Sequence, residues 1–69
     1  MNRIPVSSSN VAEVGYDPIT MVLEVAFQNG GVYQYFDVPE TVYSELMRAP
    51  SIGKFLCTEV ENSYRYSKL

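Results

Sequence analysis

From Val11 to Asp37 apolar and polar positions largely alternate, the two-residue period of a half-buried strand. Val11 to Tyr16 predicts a first strand, with Ala12, Val14 and Tyr16 on one face and Val11 and Glu13 on the other. Asp17-Pro18 ends it, because proline sets up a turn and cannot donate to a central ladder. Thr20 to Phe27 and Val32 to Asp37, rich in β-branched and aromatic residues, predict two more. Between them Asn29-Gly30-Gly31 tolerates positive φ, which marks a hairpin turn. A three-residue loop over 29–31, with Gly31 left-handed, sets Phe27 opposite Tyr33 and Val25 opposite Tyr35. Leu23, Val25, Phe27, Tyr33 and Tyr35 then share one face, and Glu24, Gln28 and Gln34 the other. A two-residue loop would move both tyrosines to the face of Glu24; the longer loop separates apolar from polar more cleanly.

The period changes at Val38-Pro39-Glu40, a helix entry with proline at the first turn and an acid near the positive dipole end. Val42, Tyr43, Leu46 and Met47 form one apolar stripe, and Pro50 closes the helix. Ser51 is a good N-cap for a second helix with the stripe Ile52, Phe55, Leu56 and Val60. Gly53 in its first turn costs roughly 0.5–1 kcal/mol against Ala, which points to a close backbone approach there. Tyr64-Arg65-Tyr66 reads as a short edge strand or an ordered tail. The expected architecture is α+β: a three-stranded antiparallel β-meander followed by two helices packed on one face. Residues 1–10 are expected as a flexible lead-in and 11–66 as a single domain. Its core is expected to hold Leu23, Val25, Phe27, Val42, Leu46, Ile52, Phe55, Leu56 and Val60.

Composition narrows the function. The 69 residues, 46% of them hydrophobic, suffice for one small core. Histidine is absent, which removes the usual general base and the commonest metal ligand. The single cysteine, Cys57, can form neither an internal disulfide nor a zinc cluster, and reads as a small buried hydrophobe in a protein of the reducing cytoplasm. The apolar run Met21 to Phe27 contains Glu24 and is far too short for a membrane span. Acidic residues are scattered singly, without the paired spacing of acid–base chemistry. No catalytic residue, metal or cofactor is therefore expected. A binding role remains.

Several features taken in order resemble the KTSC domain family, a short domain found at the C-terminus of some lysyl-tRNA synthetases and as stand-alone bacterial proteins. Tyr33-Gln34-Tyr35 after Gly30-Gly31 matches its central Tyr-x-Tyr pair. Gly15-Tyr16-Asp17 closes the first strand, Leu23-x-Val25-x-Phe27 forms the second, and Val38-Pro39 follows the tyrosines. Ala49, Ser51, Gly53 and Phe55 fall at alternate positions, and Tyr64-x-Tyr66 ends the match; Cys57 stands where such sequences often carry Asn. The resemblance implies a small α+β domain without an established activity, for which RNA binding has been suggested.

Several binding surfaces suggest themselves. Tyr33 and Tyr35 would stack bases if they faced solvent, or pack under the helices if they faced inward. Tyr64, Arg65 and Tyr66 form the best basic-aromatic run, and Lys54 adds a cation; these six are the candidate contacts for single-stranded RNA or tRNA. Ser51, Gly53 and Lys54 at a helix start would suit an anion, although the same residues serve as an ordinary N-cap. A protein partner would need only an apolar patch or an open sheet edge. A net charge of −3 disfavours a phosphate clamp. Arg3, Arg48, Lys54, Arg65 and Lys68 gathered beside exposed tyrosine would favour RNA; scattered, they favour a protein partner.

Overall fold

The alternation does produce a meander, but with five strands rather than three. A computed structural model describes residues 1–69. Its antiparallel sheet runs in sequence order: β1 (Arg3–Pro5), β2 (Val11–Asp17), β3 (Val22–Phe27), β4 (Val32–Tyr35) and β5 (Tyr66–Lys68). Between β4 and β5 lie α1 (Glu40–Arg48) and α2 (Ile52–Phe55), the latter continuing into a π-helical turn over Leu56–Val60.

Both extra strands come from stretches too short to show a period. Residues 3–5, expected as lead-in, pair with Gly15, Val14 and Glu13 of β2. Pro5 is tolerated there because an edge strand can spare a donor. The C-terminal strand begins at Tyr66, at the end of the segment expected to form it, and pairs with β4. Thr20 and Met21 leave the predicted second strand for its turn: Asp17 Oδ1 accepts from Ile19 N at 2.9 Å and Thr20 N at 3.4 Å, and Met21 adopts φ 58°. β4 stops at Tyr35, since Asp37 at φ 59° cannot continue a strand.

The β3–β4 loop has the predicted three residues, placed one position earlier. Gln28 to Gly30 make the turn: Gly30 N donates to Phe27 O, Phe27 N donates to Gly31 O, and Gly30, not Gly31, carries the positive φ of 96°. Val25 therefore faces Tyr33 and Leu23 faces Tyr35, a shift of two residues from the expected pairing. A shift of two preserves the faces, so the tyrosines remain with Leu23 and Val25. In β2 a bulge between Val11 and Glu13 reverses the expected parity of Val11, which joins Val14 inside.

The helices cover this inner face. Val11, Val14, Leu23, Val25, Tyr35, Val38, Leu46, Leu56 and Val60 form the buried cluster, while Phe27, Val42, Ile52 and Phe55 pack against it only partly buried. The π turn, closed by Glu61 N donating to Leu56 O, leaves both Leu56 and Val60 in the core. Cys57 lies between them on the outside and is exposed, contrary to the sequence-based expectation. Gly53 has the close neighbour its poor helix propensity implied: a Cβ there would collide with the Asn10 side chain.

The outer face carries a row of facing residues across all five strands: Arg3, Gly15, Glu24, Gln34 and Ser67. Arg3 reaches over Gly15, placing Nη1 3.6 Å from Glu24 Oε2, while Gln34 Nε2 donates to Glu24 Oε1 at 2.8 Å. A Cβ at Gly15 would lie 2.8 Å from Asn2 O and 3.0 Å from Arg3 Cγ. Gly15→Ala is expected to destabilise by about 1–3 kcal/mol by lifting β1 from the sheet. Hydrogen exchange in Arg3–Pro5 checks this; protection unchanged from the parent would show that β1 accommodates the methyl group.

Candidate functional site

The register gathers aromatic side chains at the β4–β5 end of the inner face. Tyr33 faces Lys68 and Tyr35 faces Tyr66, so all four project to the same side. Tyr33 lies edge-on to Phe27, with ring centroids 5.6 Å apart, and 5.7 Å from Tyr66. Tyr35 is 5.9 Å from Tyr66 and only 3% exposed, whereas Tyr66 is 58% exposed. The helices stop short of this corner. A groove of about 500 Å³ opens between the tyrosines and the chain leaving the π turn, where Glu61 and Asn62 form its other wall.

Charge in the groove is sparse and mixed. The Lys68 ammonium sits 5.8 Å from the centre of the Tyr33 ring, a cation–π contact. Burial pushes the Tyr35 hydroxyl up to about 12, helped by Glu61 and the neighbouring Tyr33 and Tyr66. Away from the groove, Tyr16 stacks on Tyr43 of α1 at 4.9 Å and donates to Val38 O. Its hydroxyl is likewise raised, first by burial and then by Glu40 and Asp17. Asp17 is held below its usual range chiefly by the Ile19 amide that also shapes its turn.

The six RNA candidates are divided by this arrangement. Tyr33, Tyr35 and Tyr66 come together. Tyr64 packs instead against the buried cluster. Arg65 pairs with Asp37 at 3.1 Å and lies over the Phe36 ring, at the β4–β5 end but on the opposite side from Tyr66. Lys54 lines a different groove with Ser51, Gly53 and the Ser7–Asn10 segment. There the Ser51 hydroxyl accepts from Lys54 N at 3.3 Å, the bond of an N-cap. Lys68, Glu61 and Phe27 were not singled out as groove residues by sequence. Lys68 was legible only through its spacing of two from Tyr66; Glu61 enters from a helix end, which no strand period reveals.

The five cations scatter. Arg3 joins Glu13 and Glu24 on the outer face, Arg65 joins Asp37, Lys54 lines the second groove and Arg48 ends α1. Lys68 is the one cation lining the aromatic groove.

Relatives share this architecture. A KTSC domain protein of Yersinia pestis, known from a crystal structure, matches with a TM-score of 0.96 at 38% identity, over 99% of this chain and 96% of that one. An uncharacterized protein of Stutzerimonas stutzeri is 37% identical over 70 residues, covering 100% of this chain and 99% of that protein. A lysine–tRNA ligase of Nostoc sp. is 39% identical over 54 residues, which are 78% of this chain and 10% of the ligase. The same unit thus stands alone in some proteins and forms a small part of others. The KTSC domain profile matches residues 7–64, a span that includes the Tyr-x-Tyr pair on the groove floor. With nearly the whole chain matched in sequence and in fold, this protein belongs to the KTSC domain family.

Proposed function

We propose that this domain is a non-catalytic interaction module that docks an extended segment of a protein partner on β5 and in the adjoining aromatic groove. The observation that carries it is the scatter of the five cations, which leaves the groove with one aromatic wall and a single ammonium beside a free strand edge. An exposed edge offers main-chain hydrogen bonds to an incoming strand, and a groove alongside selects its side chains. Homologous segments in lysine–tRNA ligases support a cytoplasmic setting, and no helix is long and apolar enough to cross a membrane.

A second reading, weak binding of single-stranded RNA, is favoured by the cluster of Tyr33, Tyr35, Tyr66 and Lys68 and by those same ligases. With a single cation at hand it would rest on stacking, at a log–log salt slope near −0.7 for one phosphate contact. Parallel NMR titrations with a pool of short peptides and with oligouridine separate the two. Peptide-induced amide shifts confined to β4 and β5 are expected. Shifts at those amides with oligouridine and none with peptides would replace the first reading by the second.

A further inference from the structure

The charge in the groove is one acid, Glu61, and one ammonium, Lys68, set among aromatic rings. The faces of Tyr33 and Tyr66 present negative π density, and the only acid at the rim, Glu61, faces them across the opening. The Lys68 ammonium already occupies the matching position, 5.8 Å from the Tyr33 centroid. It takes part in none of the three ion pairs, which belong to Arg3 and Arg65. The ammonium sits on an exposed, flexible four-carbon stem and is held by a ring face rather than by an ion pair. The chain as a whole carries −3, which also favours a basic partner over an anionic one.

We infer that the groove is an aromatic receptor for an arginine or lysine side chain of an extended partner segment, with Lys68 as the resident cation that the partner displaces. This rests on the peptide-docking reading and adds the chemistry of the docked residue. A strand added at β5 would present every second side chain on the Tyr66 and Lys68 side. Its cationic residue would lie over Tyr33 and Tyr66, and Glu61 would supply the counter-charge. Lys68 then sets affinity by competition within the chain: while it occupies the ring face, a partner must displace it.

Titrating the full chain with the peptide Val-Thr-Arg-Thr-Val and with its citrulline counterpart, nearly the same shape without the charge, tests this by NMR. The arginine peptide is expected to shift the amides of Tyr33, Tyr66 and Lys68 and to bind more tightly than the citrulline peptide. Lys68→Ala is expected to tighten the arginine peptide about two- to five-fold, and Glu61→Gln to weaken it by a similar factor. Both positions are exposed at the surface, so folding should be preserved, which the amide spectrum of each variant verifies. Equal binding of the two peptides, or weaker arginine binding by Lys68→Ala, would overturn the inference and leave peptide docking standing. Failure of both peptides to move these amides would remove the docking reading with it. Oligouridine binding weakened by Lys68→Ala would assign the groove to RNA, since Lys68 assists a phosphate ligand and opposes a cationic one.

Discussion

Leu46→Ala is expected to remove about 2–5 kcal/mol and leave much of the chain unfolded at 37 °C. Leu46 is the one fully buried residue of α1, and its stripe neighbours Val42, Tyr43 and Met47 are only partly covered. Truncating it opens a cavity between helix and sheet that the short strands cannot close without repacking. A domain of 69 residues holds roughly 3–10 kcal/mol in total, so one such loss takes a large share. Urea denaturation followed by far-UV circular dichroism measures it. A midpoint close to the parent's would show that α1 is held to the sheet by its partly buried residues.

Alkaline pH should be the second large perturbation. Tyr35 titrates near 10.0 when unfolded and at about 12 when folded, because burial disfavours its phenolate and Glu61 repels it. The unfolded chain therefore releases this proton first. Stability is whole below pH 10 and declines from pH 10 towards 12, by about 1.4 kcal/mol per pH unit and some 2–3 kcal/mol over that window. Tyr16, raised for the same reason, acts in the same direction. Tyr35→Phe keeps the ring and removes the proton, so its stability should fall less steeply above pH 10. Denaturation midpoints across this range, read beside tyrosinate absorbance, decide the matter. An equal slope in parent and variant would show that Tyr35 ionises freely in the folded state.

These effects trace to how sequence and tertiary structure divide the work. The chain determined by itself that β3 and β4 form a hairpin, that their apolar residues share a face with Tyr33 and Tyr35, and that two helices follow. Each depends on local turn chemistry or on a period repeated several times, so a pairing slipped by two residues kept every side chain on its expected face. Asp17 and Ser51, whose side chains bond amides two or three residues on, were legible for the same reason. What only the tertiary structure decided lacks a local signature. Arg3–Pro5 and Tyr66–Lys68 are three-residue strands that exist because a neighbouring strand offers hydrogen bonds. The bulge at Val11 satisfies packing under the helices, not alternation along β2. The aromatic groove is likewise a product of assembly: residues from β3, β4, β5 and the end of the π turn, separated by up to forty-one positions from Phe27 to Lys68, meet only when the last strand closes on β4. Short-range preferences choose the elements; the chemistry of this surface depends on contacts made after they pack.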